Sequence, residues 1–524
     1  MGGRGAPDAY CRAQLPADKV SASVSSRTSM LPVSASRSLL AALPVLTAVL
    51  LCLGTPVSGA PLTPLTLTPC VIEHPLRLTV VPAECGELDV PENPQSPQGR
   101  QIRLHVARAA AISRRREADA LFVLAGGPGQ AATAFYASVA GAFGRIQRER
   151  DIVLIDQRGT GASNALTCKE DEARLYEATG PEVAELARRC LIALSARADP
   201  AFYTTSLAVA DLERVRAALG YARIDLYGVS YGTRVAQQYL RRYPQRVRAL
   251  ILDGVVPPQL AIGPDVALDA ESALHGILRR CSAEPPCRAR FSDPMQDYEA
   301  VRAHLAAGAL PLRIADPSGG ALRQVSFGAG ELATVLRLGG YSADYAALLP
   351  LFLNLGAHGD FSALAAQSLL LTRSFEGIAH GMHNSVVCAE DVPFWGAIDR
   401  ERLARTFMGA AQVEALATLC SIWPHGAVDQ DLHAPLASAV PTLLLSGGDD
   451  PVTPPRYAQL AAAQFTQARP IVLAGFGHGQ LTVPCMDRVL QDFLSHPVIA
   501  ALDLSCLDRA RPMPFFTSVN GPPP

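Results

Sequence analysis

The residues best suited to chemistry lie in Gly228–Gly232, "GVSYG", where a serine stands two residues from a glycine on either side. An apolar, strand-like run precedes it and a helical pattern follows. A chain that turns sharply from strand to helix leaves Ser230 on strained backbone with its Oγ exposed, and the two glycines relieve the crowding. The following helix aims backbone N–H groups and its positive end at the same point. A serine hydroxyl is a weak nucleophile; it needs a base, and the base needs an orienting acid. For a nucleophile on this kind of turn the chain order is Ser, acid, His. The base is expected at His478, in the glycine-flanked "GFGHGQL" that follows the apolar run Pro470–Leu473. The acid is expected after the apolar run Thr442–Leu445, where "SGGDDPVTP" offers Asp449 and Asp450. Pro451 biases its predecessor toward an extended conformation, which favours Asp450 and leaves Asp449 as the alternative.

Attack on a carbonyl builds negative charge on its oxygen, and that charge needs backbone donors. Tyr231, directly after the serine, is expected to supply one. The other is expected from "AGGPG" at Ala125–Gly129, at Gly127 or alternatively Gly126, because glycines let the backbone come close to a substrate. His380 and His383 form an H-x-x-H pair, a weak metal signal that two solvated histidines explain as well. No C-x₂-C spacing occurs, so the reading assigns no metal and no cofactor.

Stepwise along the chain, the elements that must position these residues are short apolar strands alternating with helices. Leu121–Leu124 breaks into "AGGPG", and Ile152–Ile155 breaks into "DQRGTGAS". Ser206–Leu219 has helical spacing, Ile224–Tyr227 leads into Ser230, and Val247–Gly254 is a further buried run. Such runs imply a mostly parallel sheet covered by helices on both faces. The segment Cys85–Ala109 alternates around "PENPQSPQG" and predicts a hairpin. From about Pro258 to Leu436 the chain turns Ala- and Leu-rich with few strand-like runs, so a mostly helical insertion interrupts the sheet domain. The expected division is an export signal at 1–60, the first part of the sheet domain at 61–257, a helical cap at 258–435, and the rest of the sheet domain at 436–524.

The motifs "LAGGPG", "DIVLIDQRGTGAS", "GVSYGT", "LLLSGGDDPVTPP" and "GFGHG" together resemble the prolyl and tripeptidyl aminopeptidase family of α/β-hydrolases. The likeness runs from about Cys85 to Cys506. It implies the α/β-hydrolase fold with an inserted cap, a triad of Ser230, Asp450 and His478, and a structural role for Asp156 and Arg158. The chain departs from the prolyl enzymes at Ala125, where they carry His, and in an elbow without their Trp. Those departures, with the cysteines and the export signal, look more like the secreted tripeptidyl-type branch. An aminopeptidase must hold a free α-ammonium, and cap segments of the family carry acids for it. "SVVCAEDVPFW" offers Glu390 and Asp391 for that role, or alternatively a solvated acidic pair on a loop.

Composition agrees with an exported globular enzyme. Hydrophobic residues make up 49% of the 524 residues, which excludes a disordered chain. The net charge of −2 argues against a nucleic-acid partner. Arg37 precedes the apolar run Leu39–Leu53, and small residues end at "VSGA", a secretory-signal pattern cut after Ala60. Met30 is an alternative start to Met1, and an uncleaved membrane anchor is the rival reading of the apolar run. Removing Cys11 and Cys52 leaves ten cysteines in close pairs: Cys70/Cys85, Cys168/Cys190, Cys281/Cys287, Cys388/Cys420 and Cys485/Cys506. Neighbour pairing is the simplest arrangement, and disulfides suit a periplasmic or extracellular protein. The reading is an exported serine exopeptidase acting on peptides with a free N-terminus. A carboxylesterase using the same triad, or an inactive binding protein of this fold, are the alternatives.

Overall fold

Five apolar runs supply the centre of a nine-stranded sheet. In the computed structural model, which describes residues 64–168, 180–373 and 377–522, the strands are β1 (Thr68–Glu73), β2 (Val80–Pro91), β3 (Gln101–Ala109), β4 (Ala120–Leu124), β5 (Ile152–Ile155), β6 (Ile224–Val229), β7 (Val247–Asp253), β8 (Leu310–Ala315), β9 (Leu322–Phe327), β10 (Thr442–Gly447) and β11 (Ala468–Leu473). The sheet order is β1-β2-β3-β5-β4-β6-β7-β10-β11. The first three strands run antiparallel, and the six from β5 to β11 are parallel to one another. The expected hairpin is β2–β3. The export-signal segment, residues 1–60, lies outside the described residues.

Side chains alternate between the two faces of the sheet, as the two-residue strand period requires. Phe122, Val153, Leu226, Leu252 and Leu444 pack on one face; Leu121, Leu154, Tyr227, Ile251 and Leu443 pack on the other. Every residue of β4, β5, β6 and β10 is buried, which is why these strands read as unbroken apolar runs. Helices Pro181–Ser195, Thr205–Ala218 and Tyr231–Arg242 cover the first face. Helices Ala132–Val139 and Met486–Ser495 cover the second.

The insertion between β7 and β10 carries its own core, with Leu274, Leu278, Phe291, Phe327, Leu336 and Phe361. It is not purely helical: β8 and β9 pair as an antiparallel hairpin. Its last part, including Met382, Val386, Leu419 and Trp423, packs in the same cluster as Leu226 and Leu252 of the sheet. The helix His380–Glu390 thus belongs to the packing of the sheet, although its sequence reads as part of the cap. Five disulfides join the expected neighbours: Cys70–Cys85, Cys168–Cys190, Cys281–Cys287, Cys388–Cys420 and Cys485–Cys506. Such bridges fit an oxidising compartment. Among the described residues no helix is long and apolar enough to cross a membrane.

Candidate active site

Loops from the C-terminal ends of the parallel strands carry the expected residues to one place, where ligands of open α/β sheets bind. β6 ends in Ser230, whose φ of 56° and ψ of −125° are sterically costly for a residue with a Cβ. The elbow closes so tightly that a Cβ on Gly228 would strike the Gly232 carbonyl, and one on Gly232 would strike the Leu124 carbonyl. Only glycine fits at either position. The Ser230 amide donates to the Asp253 carbonyl at 2.8 Å, which ties the elbow to the end of β7. Tyr231 occupies the first position of the next helix, where an amide has no intrahelical acceptor. The loop after β4 passes directly over the serine: a Cβ on Gly126 would lie 3.0 Å from the Ser230 Cβ and 3.6 Å from its Oγ. Gly127 follows with φ +105°. The carbonyl of Gly129, two residues on, accepts from the Ala379 amide at 2.9 Å, so the start of the helix His380–Glu390 braces this loop.

His478 Nδ1 donates to Asp450 Oδ2 at 2.9 Å and also lies 3.0 Å from Thr453 Oγ1. Its own amide donates to the Tyr341 carbonyl at 2.8 Å, and the Tyr341 ring meets the imidazole edge-on. Burial by itself disfavours a charged imidazole, but the Asp450 carboxylate outweighs it and moves the His478 pKa upward. Asp450 is 2% exposed. Burial pushes its pKa up; the His478 contact and the amides of Thr453 and Val452 outweigh that and leave it lowered. Those amides donate to Oδ1 at 2.8 Å each, and Thr453 Oγ1 donates at 2.8 Å to Oδ2, the oxygen that His478 also meets. Asp449 faces the other way, with a carboxylate oxygen 3.8 Å from Arg280.

Comparison with known proteins finds two matching family models and several relatives. A family model described as "alpha/beta hydrolase fold" matches residues 119–274, and one described as "TAP-like protein" matches residues 405–506. The chain has the α/β-hydrolase fold. The serine protease Hip1 of Mycobacterium tuberculosis is 27% identical over 439 residues, covering 75% of this chain and 81% of that protein. The tripeptidyl aminopeptidase of Streptomyces lividans is 28% identical over 480 residues, covering 83% and 85%. Carboxylesterase B of Mycobacterium tuberculosis is 29% identical over 411 residues, covering 71% and 76%.

Elsewhere in the hydrolase the expectation for Glu390 and Asp391 needs correction. Neither is on a solvated loop nor open to a substrate ammonium: Glu390 is fully buried and Asp391 is 1% exposed. Both face Arg234, which is itself buried and grips Asp391 through two bonds of 2.8 and 3.1 Å. Glu390 lies 3.7 Å from the same guanidinium and accepts from the Thr205 amide at 2.6 Å and its hydroxyl at 2.7 Å. Burial pushes Glu390 up to about 7 against the pull of Arg234 and Thr205. The Tyr231 hydroxyl joins this cluster, 2.7 Å from Thr205 Oγ1. A charge inside a protein is stable only when paired, and Arg234 supplies the pairing that an incoming amine would have to replace.

Asp156 and Arg158 are buried struts. Asp156 accepts from Thr133 and Ala162, and Arg158 clamps Asp211 at 2.6 and 2.8 Å. His383 donates to the Pro128 carbonyl, and no group of three or more metal-capable side chains is present among the described residues. Sequence reasoning passed over Thr453 and Tyr341. Thr453 had a local signal, since an Asp that caps the amides two and three residues on forms an Asx turn. Tyr341 had none, because its contact with His478 spans 137 residues of chain.

Proposed function

We propose that this hydrolase is an exported serine exopeptidase that releases short N-terminal units from peptides. The observation that carries the reading is the 2.9 Å bond from His478 Nδ1 to Asp450, taken with the strained elbow that carries Ser230. In this reading Asp450 holds the imidazole with its proton on Nδ1, which leaves Nε2 free to take the Ser230 proton. Ser230 Oγ attacks the scissile carbonyl, and the amides of Gly127 and Tyr231 stabilise the resulting oxyanion. His478 returns the proton to the leaving amine, and the C–N bond breaks to leave an acyl-enzyme. Water, deprotonated by the same histidine, releases the acyl group and restores the serine. No cofactor or metal enters the cycle. Peptidase relatives that align over three-quarters or more of this chain favour a peptide substrate over a simple ester. The carboxylesterase relative keeps a second reading, ester hydrolysis by the same triad. The five disulfides support export to the periplasm or the medium.

A panel of chromogenic tripeptides with free and blocked N-termini, beside small acyl esters, tests the reading. Free-amine peptides should be cleaved at least about tenfold faster than their blocked forms, since a charge-assisted contact contributes roughly 1.5–3 kcal/mol. The Ser230→Ala variant should cleave none of them. Turnover of esters alone would establish the esterase reading, and equal turnover of blocked and free peptides would exclude an exopeptidase.

A further inference from the structure

Two loops that must meet for catalysis converge on one buried carboxylate that the proposed mechanism does not use. Asp253 is the last residue of β7 and is fully buried. Its carbonyl accepts from the Ser230 amide at 2.8 Å. Its carboxylate accepts from the Gln480 amide with both oxygens, at 2.8 and 2.9 Å. Gln480 stands two residues after His478, and its side chain folds back to donate to the Gly477 carbonyl at 2.8 Å. The carboxylate thus grips the far side of the loop that carries the imidazole. The next residue, Gly254, has φ +65°, and a Cβ there would lie 2.8 Å from His478 Cε1. Backbone and side chain of this one strand end therefore touch the serine's turn on one side and the histidine's loop on the other.

We propose that Asp253 is a positioning residue that holds the Ser230 elbow and the His478 loop in register and sets a second negative charge behind the imidazole. The inference rests on the triad reading above. Sequence position hides it, because Ser230, Asp253 and Gln480 are joined only in the folded sheet. The groups facing His478 are Asp450 and Thr453 from the loop after β10, Tyr341 and the Arg337 guanidinium from the cap, and Asp253 from β7. The two carboxylates favour the imidazolium and Arg337 opposes it. Asp253 can carry its charge at working pH. Burial pushes it up to about 6, with the Gln480 amide and the Tyr227 hydroxyl, which donates at 2.8 Å, working against that rise.

Asp253→Asn separates the charge from the shape. An asparagine keeps one oxygen for the Gln480 amide, and the Tyr227 hydroxyl can reverse to accept from the new NH₂. The measurement is kcat, KM and the pH profile of kcat/KM on a free-amine tripeptide, with Ser230→Ala as the control. In Asp253→Asn, kcat should fall about 10- to 100-fold with KM little changed, as expected for misplaced reacting groups. The acid limb should move to lower pH by about half a unit, because an anion that favours His478⁺ is gone. Asp253→Glu keeps the charge and displaces the loop: its kcat should fall while the acid limb stays at the wild-type position. This variant carries the test if Asp253→Asn does not accumulate as folded protein. Wild-type kcat in either variant, or an unmoved acid limb in Asp253→Asn, overturns the inference. If Ser230→Ala remains active, the triad reading fails instead.

Discussion

Replacing Asp450 by Asn tests the site at its most constrained point. The carboxylate is 2% exposed and takes four donors: two backbone amides, the Thr453 hydroxyl and His478 Nδ1. In the variant, Oδ1 can still accept from the Val452 and Thr453 amides, so the turn should survive. The new NH₂ would then occupy the Oδ2 position, 2.9 Å from His478 Nδ1. Two donors cannot face each other there, so the imidazole must move its proton to Nε2. A histidine protonated on Nε2 cannot accept the serine proton. The loss expected is about 10⁴-fold in kcat, by comparison with the serine-protease case of a lost orienting acid. That corresponds to about 5.4 kcal/mol in the barrier at 1.36 kcal/mol per decade. KM should change little, since Asp450 lies behind the histidine and away from bound peptide. The pH profile supplies an independent readout. Removing the carboxylate leaves burial as the main influence on His478, so the acid limb of the residual activity should move down. The assay is steady-state kinetics from pH 4 to 9, with the rate of fluorophosphonate labelling of Ser230 as a substrate-independent check. A loss below tenfold with an unmoved acid limb, or a larger effect from Asp449→Asn, would refute the reasoning.

Other predictions follow from the same geometry. The Asp450 carboxylate raises the His478 pKa, and a base must be neutral to act, so kcat/KM of the wild type should rise with pH through a limb lying above the ordinary histidine value of about 6.5. A limb below that value would show that burial outweighs the carboxylate. Glu390→Gln with Asp391→Asn leaves the Arg234 guanidinium buried without a counter-charge, which should cost roughly 3–5 kcal/mol of stability in urea unfolding. Activity on free-amine peptides and on esters should then fall together; a KM rise confined to free-amine peptides in a stable protein would restore the amine-site role. Replacing Cys388 and Cys420 by Ser opens a bridge across 32 residues and should cost roughly 3–4 kcal/mol in the chain-entropy description. Non-reducing mass mapping should recover all five bridges, and two or more alkylatable thiols in the native protein would contradict them.

What the sequence by itself determined is what local backbone chemistry controls. The G-x-S-x-G turn was legible because two glycines in contact with backbone carbonyls tolerate no substitute, so the pattern is written in residue types. The central strands were legible because burial on both faces leaves an unbroken apolar run. The disulfide pairs were legible because each joins neighbours along the chain. Asp450 stood out over Asp449 through the proline that follows it. The β8–β9 hairpin was missed because both strands are half exposed and carry no strong apolar run. Only the tertiary structure decided which charges are desolvated against which partners. Glu390 and Asp391 looked like an acidic pair beside aromatics, yet Arg234, more than 150 positions earlier, takes both in the interior. Asp253 looked like the end of a strand, yet it meets Gln480 across 227 positions. Local pattern sets how the backbone bends, whereas burial, pairing and the pKa values that follow depend on neighbours that long-range packing brings together.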